Sequence, residues 1–213
     1  MNTVPTQSDL LAALRRERIG DARLLDAVRM VPRAGFVPEN AVDRAYFDLP
    51  LEIPHDQVTT QPSLVAKMLE SLALMGDERV LEVGTGLGWQ TALLAHLARE
   101  VWSVERWPDL ADSARQNLRR QGIGNVTVVV GDGSEGYPEQ APYAAIVVSA
   151  AFTSVPRALG AQLLLGGRLV QPIGPGGRED VVLFERRLEG VAPRRTITRA
   201  HFVRLVGRQG YSG

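Results

Sequence analysis

Val80-Leu81-Glu82-Val83-Gly84-Thr85-Gly86-Leu87-Gly88-Trp89-Gln90 is the stretch from which the rest of the chain can be read. Its first four residues have the character of a buried strand, and three glycines at alternate positions follow at once. A glycine loop directly after a first strand lets backbone approach a ligand at the carboxyl edge of the sheet, where doubly wound folds take their cofactors. A dinucleotide fingerprint requires G-x-G-x-x-G, but the last position falls on Trp89 when counted from Gly84 and on Thr91 when counted from Gly86. NAD is therefore disfavoured.

Downstream, the pattern alternates. Residues 90–98 and 110–118 have helical periodicity, while 101–104, 126–130, 145–148 and 168–170 are short runs rich in β-branched residues and bounded by Gly, Pro and Asp. Strands that alternate with helices predict a doubly wound α/β sheet, mostly parallel, because parallel neighbours need crossovers. Residues 181–187 and 196–206 are strand-like with no helix between them, which predicts an antiparallel C-terminal hairpin at the sheet edge. Upstream, Leu10, Leu11, Leu14, Leu24, Leu25 and Val28 mark a helical lead-in with Asp21 as an N-cap. Pro32, Pro38, Pro50 and Pro54 then break the chain into an irregular segment. Pro62, in a position suited to a first helical turn, opens another helix through Leu72. The expected organisation is one domain over residues 1–213, with 1–61 as a lead-in on the substrate side and 62–213 as the cofactor-binding core and edge hairpin.

Composition narrows the chemistry. The chain has 213 residues, a length at which a single substantial core is the expectation. With no Cys, a disulfide scaffold, a thiolate-held metal and a Cys nucleophile are all excluded. Lys+Arg and Asp+Glu both number 24, so no global field attracts nucleic acid, although Lys67 is the one lysine and the residues from Arg186 onward carry seven Arg against Glu189 alone. That segment reads either as a nucleic-acid surface or as a solvated edge hairpin whose Arg stems cover apolar surface. The first twenty residues lack the apolar core of a secretory signal, and the apolar run of residues 144–152 is far short of the roughly 20 that span a bilayer. A cytoplasmic protein with no membrane partner and no bound metal is the expectation.

Two further strand ends bear on the glycine loop. Glu105 closes the second strand 17 residues beyond Gly88, where a carboxylate can accept both hydroxyls of a ribose. Gly131-Asp132-Gly133 follows the third. The E-x-G-x-G-x-G arrangement from Glu82 to Gly88 resembles the S-adenosyl-L-methionine-dependent methyltransferases with a Rossmann-like sheet. That resemblance implies a loop at Gly84, Thr85 and Gly86 along the amino-acid and ribose part of the cofactor. It further implies that Glu82, Arg106 and Gly133 help to bind the cofactor, and that Asp132 accepts from the adenine amino group. The product would be S-adenosyl-L-homocysteine.

The resemblance sharpens over nearly the whole chain. Met30-Val31-Pro32-Arg33-Ala34-Gly35-Phe36-Val37-Pro38, Gln57-Val58-Thr59-Thr60-Gln61-Pro62, Ala141-Pro142-Tyr143, the segment from Gly166 to Gly174 and His201-Phe202-Val203 are similar to the protein-L-isoaspartate O-methyltransferases. In that family a methyl group goes to the α-carboxylate of an L-isoaspartyl residue in a damaged protein, and the ester collapses through a succinimide towards aspartate. The resemblance implies Thr60 as the catalytic-site hydroxyl at the substrate carboxylate, with Thr59, Gln61, Pro172 and Ile173 as further substrate-binding residues. Thr60 stands where the family carries Ser, Val58 and Thr59 depart from Thr and Ile, and Ala144 replaces an acid.

The implied chemistry suits the residues present. A carboxylate of pKa near ~4 is ionised at neutral pH and needs no base before it attacks a methyl group, so the task is orientation. His55, His96 and His201 are scattered along the chain, and no base cluster offers itself. The expected partner is an isoaspartyl protein or peptide and the expected state a monomer. A carboxyl methyltransferase for another peptide carboxylate, such as aspartate, is the alternative, with RNA methylation behind it.

Overall fold

The computed structural model describes residues 4–212, so the outermost residues of the expected 1–213 domain lie outside it. Two helices, α1 (Gln7–Arg16) and α2 (Ala22–Met30), lead in. Thr6 and Asp9 form a capping box on α1, and the Asp21 carboxylate accepts from the backbone N–H groups of Arg23 and Leu24 at 2.9 and 3.2 Å, the predicted cap of α2.

The segment expected to be irregular contains a small antiparallel pair, β1 (Leu51–Ile53) and β2 (Gln57–Thr59). With three residues each, these strands carry too little alternation to be recognised from pattern. Helix α3 (Pro62–Leu72) then begins with Pro62 in its first turn, as the sequence implies.

From there strand and helix alternate: β3 (Arg79–Val83), α4 (Trp89–Leu97), β4 (Glu100–Glu105), α5 (Pro108–Arg120), β5 (Val126–Val130), β6 (Tyr143–Val148), α6 (Arg157–Ala161) and β7 (Leu163–Ile173). Strands β8 (Glu179–Arg187) and β9 (Gly190–Ala200) complete a seven-stranded sheet in the order β5-β4-β3-β6-β7-β8-β9. Its first five members pair in parallel and the last two are antiparallel. The chain leaves β3 towards β4 and β5, then returns to β6 on the other side of β3. This reversal opens a crevice at the carboxyl ends of β3 and β6, the switch point of a doubly wound sheet.

The hairpin differs from the expectation in register. Its second strand is Gly190–Ala200 and not residues 196–206, and the turn is only Leu188-Glu189. Pro193, read as part of a link, sits within β9 opposite Phe184; an edge strand tolerates a residue that has no N–H to donate. Residues 201–206 are thereby released from the sheet and run back across the crevice, with Ala151 N donating to Val203 O at 2.7 Å and Leu205 N to Ala151 O at 2.8 Å.

Strand periodicity divides the core in two. Val80, Ala145 and Val147 point to one face, where they join Leu10, Phe36, Leu64 and Leu93 in one buried cluster. Leu81, Val83, Ile146 and Val148 point to the other, with Tyr143, Leu159 and Leu205. The lead-in helices therefore share a core with the sheet. No helix among the described residues is long and apolar enough to cross a membrane.

Candidate active site

The glycine loop after β3 has Gly84, Gly86 and Gly88 at φ of 94°, 55° and 95°, backbone that side-chain-bearing residues rarely adopt. Gly88 in this conformation starts α4 directly over the crevice. Beneath the loop Glu82 is fully buried. Its carboxyl group accepts from Gln90 Nε2 at 2.9 Å, Ser103 Oγ at 2.6 Å and Thr91 Oγ1 at 2.5 Å. Burial pushes its pKa up to about 7, helped by the charge of Glu105 and opposed by these three donors. Thr85 Oγ1 continues the network to Ser103 Oγ at 2.5 Å, so a buried polar web fixes the loop from below.

Glu105, at the end of β4, is 5% exposed and lines the crevice. Gly86 N donates to its Oε2 at 2.9 Å and Trp107 N to its Oε1 at 3.0 Å. Each oxygen keeps a lone pair for a further donor. The carboxylate is thus aimed by two backbone groups and still able to take a vicinal diol. Arg106 beside it is exposed, its guanidinium 4.9 Å from the centre of the Trp107 ring.

The opposite wall comes from the lead-in. Thr59 and Thr60 lie at the end of β2, and both line the crevice. Arg33 holds them from behind. Although charged, it is 1% exposed. Nη1 donates to Ala45 O and Phe47 O at 3.0 and 3.2 Å; Nη2 donates to Leu49 O, Thr59 Oγ1 and Thr60 O at 3.1, 2.7 and 3.4 Å. Its guanidinium lies 5.5 Å from the Trp89 ring centre, at the first residue of α4. Burial lowers its pKa to about 10 while nearby Asp48 opposes the change, so the cation persists at neutral pH. Thr59 spends its hydroxyl here, since it also accepts from Leu51 N at 3.2 Å. Thr60 has no side-chain hydrogen bond among the described residues, so its hydroxyl is unengaged at the cleft wall.

The β1–β2 turn reaches over to the loop after β4. His55 stacks on Trp107 with ring centroids 3.9 Å apart, and its Nε2 lies 2.9 Å from both carboxylate oxygens of Asp109. Val203, Arg204, Leu205 and Val206 close the remaining side. The enclosed cleft measures about 930 Å³ including its open mouth. Its lining contains no His, Cys or Lys, and its ionisable members are Glu105, Arg106 and Arg204.

Of the predicted site residues, Gly84, Thr85, Gly86, Glu105, Arg106, Gly133, Thr59 and Thr60 meet around this cleft. The others do not. Glu82 lies beneath the loop. Asp132 directs one carboxylate oxygen to Ser134 N and Oγ at 2.9 and 2.6 Å and the other to Arg208 N at 2.7 Å, clamping the C-terminal segment, while Gly133 takes the cleft wall. A Cβ on Gly133 would fall 2.4 Å from Val83 Cγ1, so this position must be bare for the turn to lie on β3. Gln61 donates to Asp48 Oδ2 and Ser63 Oγ at 3.0 and 3.1 Å and borders a neighbouring groove. Pro172 O accepts from Phe152 N at 3.3 Å, and Ile173 faces a separate cavity behind β7. Sequence reasoning missed Arg33 as the organiser of Thr59 and Thr60, because its acceptors lie 12 to 27 residues away. The signal available was an arginine inside an apolar Val-Pro-x-Ala-Gly-Phe-Val-Pro frame.

This sheet order, with a glycine loop at the switch point and a carboxylate on the next strand, defines a Rossmann-like methyltransferase fold. A family model described as Protein-L-isoaspartate(D-aspartate) O-methyltransferase matches residues 5–210. The chain belongs to that family. It is 50% identical over 200 residues to the protein-L-isoaspartate O-methyltransferase of Methanoculleus marisnigri, covering 94% of this chain and 90% of that one. It is 49% identical over 198 residues to that of Myxococcus xanthus, covering 92% and 93%. Among solved structures, a protein-L-isoaspartate O-methyltransferase superposes with a TM-score of 0.86 at 28% identity, over 96% of this chain and 67% of the other. A Plasmodium falciparum structure of that description, in complex with S-adenosyl-L-homocysteine, superposes at 0.79 with 22% identity, over 95% and 99%.

Proposed function

We propose that this chain transfers a methyl group from S-adenosyl-L-methionine to the α-carboxylate of L-isoaspartyl residues in damaged proteins and peptides. The observation that carries the reading is the pairing of an aimed Glu105 carboxylate with an unengaged Thr60 hydroxyl in one cleft that contains no general base. When bound, the cofactor supplies an electrophilic methyl group on a sulfonium. Glu105 accepts the ribose hydroxyls, while Gly84, Thr85 and Gly86 run along the amino-acid end. Arg106 and Gly133 flank the nucleoside, and Asp132 shapes that end through its hold on Ser134 and Arg208. Glu82 acts by fixing the loop.

On the facing wall, Thr60 donates to the substrate carboxylate and orients it, and Arg33 keeps Thr60 in register through its backbone. No proton need leave the nucleophile, so orientation and exclusion of water are the chain's main contributions. Thr59 and Gln61 support this wall, and Pro172 and Ile173 act at one remove by anchoring residue 152. Residues 1–61 and 62–213 work as one catalytic unit, a reading supported by the core that the lead-in shares with the sheet. The protein acts as a cytoplasmic monomer and without nucleic acid; sedimentation and cell fractionation check the first two, and an RNA retention assay checks the third.

Incubation with methyl-labelled cofactor and a peptide pair differing only in isoaspartyl against aspartyl linkage tests the reading. Base-labile label is expected on the isoaspartyl peptide alone. Label on the aspartyl peptide alone would point instead to another carboxylate substrate, and label on neither would overturn the assignment.

A further inference from the structure

We infer that a groove beside Thr60 selects isoaspartyl sites flanked by acidic side chains, an inference that rests on the proposed carboxyl methylation. The groove measures about 920 Å³ including its open side, and Val58, Thr60, Ser149 and Val203 line both it and the methyl-transfer cleft. A peptide whose isoaspartyl carboxylate meets Thr60 therefore has its neighbouring residues in this groove. The floor is apolar, with Leu64 and Phe202, and the far side carries Arg178, Arg199 and His201.

No carboxylate lines the groove. Of the acids close by, Asp48 accepts from Gln61 Nε2 and Ser63 N at 3.0 and 2.8 Å, Glu52 is exposed opposite Val58 in the β1–β2 pair, outside the groove lining, and Asp180 is taken up by Arg199 Nε at 2.7 Å, in an exposed pair. Glu179 is 1% exposed and accepts from Phe202 N at 3.1 Å, so it stands behind the wall. Arg178 is exposed and has no hydrogen bond or ion pair among the described residues. The substrate path is thus bordered by cationic groups whose local charge is only partly compensated. An acidic side chain near the isoaspartyl residue gains a partner there, while a basic one meets like charge. Each exposed contact of this kind contributes about two- to fivefold.

The test uses three isoaspartyl peptides that differ only in flanking residues: two Glu, two Ser or two Lys. With the native protein, kcat/KM for the Glu peptide is expected to exceed that for the Lys peptide by about tenfold at low salt, the product of two such contacts. The ratio should shrink towards one in 0.5 M salt, because exposed pairs are screened. Arg178→Glu should narrow or reverse the ratio without lowering cofactor affinity. A ratio near one or favouring Lys, or a ratio indifferent to Arg178→Glu, overturns the inference. Turnover of the Ser peptide reports on carboxyl methylation itself, so failure of that reading is seen separately.

Discussion

The two walls of the cleft are built on different principles. The wall we assign to the cofactor is assembled from strand ends: Gly84 to Gly86 after β3, Glu105 at the tip of β4 and Gly133 after β5, each delivered by a parallel strand, with bonds between neighbouring strands fixing the first two. The wall we assign to the substrate rests on a much smaller scaffold. Thr59 ends a three-residue strand paired with β1, Thr60 follows it, and one buried guanidinium reaches across 26 and 27 residues to hold both. A site mounted on a sheet distributes its support over a hydrogen-bonded ladder; a site hung on one side chain concentrates it.

The largest expected effect breaks the cofactor wall alone. Glu105→Ala should weaken S-adenosyl-L-methionine binding by about 1,000-fold in calorimetry, the loss of two charge-assisted hydrogen bonds at about 2 kcal/mol each. A loss below tenfold would contradict the assignment of the ribose to this carboxylate. Next, Arg33→Met should lower unfolding stability by about 4 kcal/mol in urea titration, because five oxygens lose a charged donor. Arg33→Lys should recover only part of this, since an ammonium cannot span the same acceptors. Near-native stability in both variants would show that support of the substrate wall is distributed after all.

Glu82 sharpens the comparison through pH. Its pKa is about 7 in the folded protein, above the ordinary carboxylate value of 4.5. The folded state therefore holds a proton that the unfolded state has lost between those values, and stability falls as pH rises through that window. The contribution is about 3 kcal/mol between pH 4.5 and 7, fully present below the window and lost as pH passes the folded value. Glu82→Gln should remove this slope from the pH dependence of the urea midpoint. An unchanged slope would mean that other groups carry it. The smallest effect is expected at the facing wall: Thr60→Ala should lower kcat/KM for an isoaspartyl peptide about tenfold, the value of one hydrogen bond to a charged group, with cofactor affinity intact. Parallel losses in both quantities would erase the division between the walls.

The same division explains what could be read in advance. The glycine loop after β3 and Glu105 at the end of β4 announce themselves through local composition, because the physics of a strand end operates within a few residues. Asp21 and Pro62 were legible for that reason too. The function of Arg33 was not, since nothing adjacent to it says which carbonyl groups will surround it. The β1–β2 pair is too short for periodicity to register. The second strand of the hairpin was displaced because Pro193 and its arginines resemble a link, and their tolerance depends on an edge position that only the assembled sheet defines. The resemblance implies that Asp132 meets the adenine; in the structure its carboxylate accepts from Ser134 nearby and from Arg208 N far along the chain, and the second partner could not be read locally.

The return of residues 201–206 across the crevice ties two distant parts of the chain into one pocket. The glycine loop lies between β3 and α4, but the wall from Val203 to Val206 and the clamp on Asp132 are supplied by residues 203–208. Leu205 N, donating to Ala151 O at 2.8 Å, thereby couples the ligand pocket to a segment that lies beyond the last strand of the sheet.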